Sequence, residues 1–307
     1  MNEVAAEVTA ADASPEVTVI EAVHNAAFRH GLGNPVYATP YTEITTDDLR
    51  EFAANNFVAS KIALVGTGVS EAELKSLAAS AFGEVAAGSA AQSVATKYYG
   101  GDVRVPHNSE LGHVAVAFPG AAEGTSEFYT AQVLRSLLGG DRFVKWSTSG
   151  VSPLAAAASK IGNSTQISAF NYGYSDAGLF GVYAQSEHGT VAEAAKAAVA
   201  SLKAASKVIP AEEFKRALAQ AKFEAASRFE TRASTTEILA AQAFQGQKVT
   251  ASEALAALDS VQAADVSKVR KTPSNKRARI LFIVLPILTL SLFNSFFSSP
   301  VSSPPSC

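Results

Sequence analysis

One local signal occurs four times in this chain: a serine or threonine followed three positions later by glutamate. It stands at Ser70–Glu73, Thr190–Glu193, Ser234–Glu237 and Thr250–Glu253. In such a capping box the hydroxyl accepts from an orphan N–H of the first turn, while the glutamate reaches back to the cap. Pro210 at a first helical position opens a further helix through Phe214, Leu218 and Ala221. The spacing predicts helices near 16–30, 45–56, 70–82, 125–138, 190–206, 210–230, 234–245 and 250–258. Between them, Lys61–Gly66, His113–Phe118, Thr165–Tyr172 and Leu179–Gln185 read as strands. The last two flank a Gly-Tyr-Ser-Asp-Ala-Gly turn and read as a hairpin. Without a regular βαβ alternation, this mixture predicts an α+β fold, with helices on one face of a largely antiparallel sheet.

Residues 84–107 contain a small, polar, aperiodic run and read as a linker. The two arms of the chain echo each other. Residues 20–66 run helix ending in Ala-Phe, loop, Thr-rich cap, Asp48-Leu49, then an apolar strand; residues 238–269 repeat the order with Ala243-Phe244, Thr250 and Asp265-Val266. The echo requires a strand next. The segment in that place is foreign in composition. Asp265 is the last acidic residue, six basic residues from Lys268 to Arg279 come after it, and then the apolar run Ile280–Phe297 and a Ser/Pro end. Three readings stand side by side: a tail anchor, since about 20 apolar residues span a bilayer; the required strand, through Arg-Ile-Leu-Phe-Ile-Val; or translated intron or misassigned sequence.

A net charge of −3 gives no footprint for nucleic acid, and the basic residues form no face interleaved with aromatics. Cys307 is the single cysteine, so no disulfide framework forms within the chain, as suits a reducing compartment. Glu3, Glu7, Asp12 and Glu16 precede the first arginine, Arg29. That order is the opposite of a basic, acid-poor mitochondrial presequence.

None of the five histidines forms His-Glu-x-x-His or its inversion. The nearest approach is His107-x-x-Glu110-x-x-His113 at the start of a strand. Positions three apart on a strand face opposite ways, so these read as exposed residues that do not converge on a metal. Glu187-His188, at a strand end, reads as solvated. Gly-x-Ser-x-Gly, a Walker loop and Gly-x-Gly-x-x-Gly are absent. Gly66-Thr67-Gly68 reads as a strand-to-helix turn rather than a phosphate site, and Gly139-Gly140 as a helix C-cap. The aromatics Phe143, Trp146, Tyr172, Tyr174, Phe180 and Tyr183 cluster in the second half, as core or as anchors of a protein contact. No residue is assigned a catalytic, cofactor-binding or metal-ligating role, and no cofactor is expected.

The run Leu137-Leu-Gly-Gly-Asp-Arg-Phe-Val-Lys-Trp146, with Ala169-Phe-Asn-Tyr-Gly-Tyr-Ser-Asp-Ala-Gly-Leu-Phe-Gly-Val-Tyr183, resembles the core-2 subunit family of the mitochondrial ubiquinol–cytochrome c reductase, in fungal form. Gly31-Leu-Gly-Asn-Pro35, Asp48-Leu-Arg-Glu-Phe52 and Glu110-Leu-Gly-His-Val-Ala-Val-Ala-Phe118 strengthen the likeness, which covers roughly 16–269. The resemblance implies tandem pitrilysin-like (peptidase M16, LuxS/metallopeptidase-like) domains, each a mainly antiparallel sheet covered by helices. Residues 1–85 would be the latter part of an incomplete first domain, 86–107 a linker, 108–269 the second domain and 270–307 an aberrant tail.

In active relatives the zinc motif sits early in the first domain, a region this chain does not contain. The α-subunit of the processing peptidase carries a long glycine-rich substrate loop where Asp141–Trp146 stands here. The resemblance therefore implies a non-catalytic subunit on the matrix side of the mitochondrial inner membrane, peripheral to it. Its implied partners are core subunit 1, cytochrome b and cytochrome c1 of a homodimeric respiratory complex III. A presequence-binding subunit of the processing peptidase and a tail-anchored membrane protein are the alternatives.

Overall fold

The computed structural model describes residues 2–37, 44–89, 94–140, 152–205, 209–243, 249–269 and 280–285. Its helices are α1 (Asn2–Asp12), α2 (Pro15–Phe28), α3 (Thr46–Asn56), α4 (Glu71–Phe82), α5 (Ser126–Leu138), α6 (Pro153–Ser159), α7 (Val191–Ala204), α8 (Ala211–Ser227), α9 (Arg232–Gln242), α10 (Ala251–Asp259) and α11 (Ala263–Val269). The strands are β1 (Gly101–Pro106), β2 (Leu111–Gly120), β3 (Gln166–Gly173), β4 (Gly178–Glu187) and β5 (Ile280–Leu285).

The five strands form one sheet in the order β1-β5-β2-β4-β3, with β1 and β5 parallel and every other pair antiparallel. Alternation along β2 explains its continuous apolar character. Val114 and Val116 face a layer formed by α5, α6, α7, α8, α10 and α11, whereas Ala115 and Ala117 face α2. A strand covered on both faces has no polar side to show. Of the predicted helices, those near 125–138, 190–206, 210–230 and 250–258 cover one face, whereas the one near 16–30, α2, covers the other, so the sheet has helices on both faces rather than on one. Val19, Val23, Ala27 and Phe28 of α2 pack on Ala115, Ala117, Phe170 and Leu179.

Most helix starts fall where hydroxyl caps place them. Ser70 and Thr250 form the expected boxes, and Thr45 with Asp48 forms another. Two expected boxes do not form. Thr190 caps α7 by position, but its hydroxyl donates to the Glu187 carbonyl at 3.2 Å and shares a hydrogen with Ser186 Oγ at 2.7 Å. Helix α9 starts before Ser234, because the earlier hydroxyl of Thr231 accepts from Ser234 N–H and takes the cap. Thr250→Ala should cost about 1 kcal/mol, read as a lower denaturant midpoint with unchanged slope.

The run Lys61–Gly66 is not a ladder strand. Ala59–Lys61 is a 3-10 turn, and residues 62–66 continue without a ladder partner among the described residues. Residues 101–106, at the end of the predicted linker, form the edge strand β1. Of the three readings of the apolar run, the structure has the strand, as Ile280–Leu285 between β1 and β2; residues 286–307 lie outside the described residues.

The echo of the two arms has a constant spacing. Helices α2 and α9 start at 15 and 232, and α3 and α11 at 46 and 263, each pair 217 positions apart. The same spacing lays residues 63–68 on the whole of β5. The contacts echo too: α2 packs against β5, and Thr236 of α9 bonds Thr67 Oγ1 at 3.0 Å. Apart from Val4 and Phe223, every exposed large hydrophobic among the described residues lies between 36 and 94. There α3 and α4 bury no residue, and Leu49, Phe52 and Phe57 are 59–67% exposed.

Candidate functional site

A cleft of about 520 Å³ opens where α5 and α8 meet the edge strand β3. Residue 171 alternates onto the helix-facing side of β3, so Asn171 Nδ2 donates to Gln132 Oε1 at 3.1 Å. Its Oδ1 is buried without a partner. The rest of the wall is ionic. Arg135 Nη1 of α5 and Glu224 Oε2 of α8 pair at 2.8 Å with side chains only 11% and 21% exposed. Gln220 Nε2 donates to the other Glu224 oxygen, and Arg228 lies 3.7 Å from Glu123. Phe128, Tyr172 and Tyr174 supply the apolar part. Each carboxylate here faces a cation. The site can hold a polar or aromatic group.

Gly139 and Gly140 close α5 with φ of +133° and +56°, and Gly140 N–H donates to the Arg135 carbonyl, a C-cap as expected. The Gly66-Thr67-Gly68 segment is a turn before α4, with Gly68 at φ +80°. The segment Asp141–Trp146, with Phe143, lies outside the described residues. Tyr172, Phe180 and Tyr183 are sheet residues packed in or against the two cores, and Tyr174 lies against the α2 side.

The histidines depart from the sequence expectation. His113 is only 4% exposed, because the α1–α2 corner covers its side of β2. Its Nδ1 shares a 2.6 Å hydrogen bond with Tyr183 Oη, and its Nε2 lies 3.3 Å from Ser109 Oγ. Burial, then the nearby imidazoles of His107 and His188, push its pKa down to about 4. His107 and His188 thus do approach His113, whereas Glu110 stays exposed. The strand rule did not apply because β2 begins at Leu111, so His107 and Glu110 lie before the strand. His24 of α2 donates Nδ1–H to the Ile20 carbonyl at 2.7 Å and so accepts from Tyr174 Oη at 2.6 Å. Burial holds its pKa below the ordinary value and raises that of Tyr174 to about 12. Among the described residues no group of three His, Cys, Asp or Glu side chains is placed to hold a metal, and no helix is long and apolar enough to cross a membrane.

Comparison with known proteins agrees with this architecture. The model of the peptidase M16 inactive domain matches residues 43–221, more than half of the chain. Cytochrome b-c1 complex subunit 2 of Cryptococcus neoformans var. grubii is 39% identical over 231 residues, covering 74% of this chain and 53% of the relative. The same subunit of Yarrowia lipolytica is 35% identical over 76% of this chain and 55% of its own length. Mitochondrial-processing peptidase subunit alpha-2 of Dictyostelium discoideum is 30% identical over 87% of this chain and 61% of the relative. The chain thus spans little more than half the length of the curated relatives it matches. A chain of complex III2 from Candida albicans superposes with a TM-score of 0.81, covering 92% of this chain and 70% of its own, a likeness of fold at 22% identity. By its sequence match and its layered α+β architecture, this chain belongs to the peptidase M16 inactive domain family.

Proposed function

We propose that this chain serves as a non-catalytic core subunit 2 of the mitochondrial cytochrome b-c1 complex, supporting its assembly from the matrix side of the inner membrane. The identity to two fungal subunit 2 proteins across three quarters of the chain carries this reading. The cleft agrees with it, since its carboxylates are spent on ion pairs. The electron-transfer cofactors would belong to other subunits. Residues 1–85 are assigned to a first M16-like domain, 86–107 to the connection and 108–269 to a second. The 217-residue spacing supports that division, and the apolar surface of residues 36–94 gives the first part a face to be covered by protein. Affinity purification of the tagged chain from mitochondria should recover a second core subunit, cytochrome b and cytochrome c1. Recovery of a soluble processing peptidase without the cytochromes would overturn the assignment.

A second reading, a presequence-binding subunit of the processing peptidase, has the Dictyostelium relative in its favour. Under it, labelled presequence peptide would bind the chain saturably; under the first reading it would not.

A further inference from the structure

Three imidazoles lie near one another by the corner between α1 and α2. His107 donates Nε2–H to the carbonyl of Asp12, the last residue of α1, at 2.6 Å. His188 donates Nε2–H to the Ser109 carbonyl at 3.0 Å. His113 lies between Ser109 Oγ and Tyr183 Oη, and Ser109 Oγ also accepts from Leu111 N–H. The cluster joins the α1–α2 corner, the β1–β2 turn, the interior of β2, β4 and the turn before α7. A ring nitrogen facing a carbonyl must carry the hydrogen, and the other ring nitrogen, Nδ1, of both His107 and His188 is buried without a partner. Helix α1 has little else to hold it: Ala11 is its one buried hydrophobic residue, and α2 is its main helical contact.

The charged neighbours do not compensate a positive charge here. The acidic residues nearby are Asp12 at the end of α1, Glu16 on α2, whose charge reaches Tyr183, Glu110 before β2, and Glu187 at the end of β4, where Ser164 Oγ holds it. Among the described residues, none of these carboxylates bonds an imidazole of the cluster. Tyr183 is the phenol beside them, and burial, then the charge of Glu16, keeps it protonated. The neighbours that His113 does sense are the two other imidazoles.

We propose that His107, His113 and His188 form a proton-operated clasp, which holds the α1–α2 corner on the sheet and releases it in acid. The proton enters at His113. In the closed state an added proton would be a buried charge beside two imidazoles; in the open state water solvates it. His113 binds its proton more weakly closed than open, so the closed form is fully favoured above the ordinary histidine value near 6.5. That preference is lost as pH falls from there towards about 4. The opening equilibrium should rise roughly a hundredfold between pH 7 and pH 4.

Hydrogen exchange on the full 307-residue chain, corrected for intrinsic rates, tests this. Peptides covering 2–12 and 107–113 should lose protection by that factor, while those covering 128–138 and 180–184 hold. His113→Gln should flatten the pH dependence, and His107→Ala should free α1 already at pH 7. Equal loss of protection across all four peptides, unchanged α1 protection in acid, or a persisting pH dependence in H113Q would each overturn the clasp. If H113Q fails to fold, proton NMR of the wild-type histidines decides: one imidazole should stay neutral at pH 5, and ordinary titration of all five would sink the idea.

Discussion

Gly181→Val is expected to destabilise the fold severely. Gly181 sits in β4 opposite Ala117 of β2 and Phe170 of β3. A Cβ there would lie 2.4 Å from the Val116 carbonyl oxygen, 2.5 Å from Phe170 Cζ and 3.0 Å from Ala117 Cα. Two of the three obstacles are backbone, so relief requires breaking the central β2–β4 ladder rather than turning a side chain. Such overpacking costs more than about 4 kcal/mol, against a total stability of about 5–15 kcal/mol. Circular dichroism and chemical denaturation would register the loss. Gly189→Ala is the matched control, because nothing lies within 4 Å of the added methyl. Its midpoint should stay within about 0.5 kcal/mol of wild type. A G181V protein with wild-type stability would mean that the β2–β4 register is wrong.

The second large effect is expected where α5 crosses α8. Arg135→Met leaves the mostly buried Glu224 carboxylate without its cation, though Gln220 Nε2 still donates to it. Stranding one charge of a buried pair costs about 3–5 kcal/mol. The double replacement Arg135→Met with Glu224→Leu removes both charges and should return most of that loss. A double mutant as unstable as the single one would show that packing, rather than the stranded charge, sets the cost.

Some of this architecture was legible because its signals are local. Ser70, Thr250 and Pro210 mark helix starts through atoms within one turn, and Gly139-Gly140 marks an end the same way. The β3–β4 hairpin was readable from its turn. Pairing over long range was not. Residues 61–66 have a strand's composition but no ladder among the described residues, while Gly101–Pro106, with Asp, Arg and Pro in six positions, became β1 because β5 lies beside it. The cleft joins Arg135, Asn171 and Glu224, none of which carries a motif. The burial of His113 depends on a helix corner about a hundred residues earlier in the chain, so no window around 113 contains the cause.

The position of β5 also sets an order of assembly. Strands β2, β4 and β3 can pair as soon as the β3–β4 hairpin forms, but among the described residues β1 has no ladder partner other than β5. About 180 residues separate the two in sequence. On the ribosome, β1 must wait extended until residues 280–285 emerge, and β2 presents an open apolar edge throughout that interval. A waiting edge of this kind invites pairing with other nascent chains. The yield of folded protein should therefore depend on how quickly the last strand arrives, and on chaperones that shield the gap it will fill.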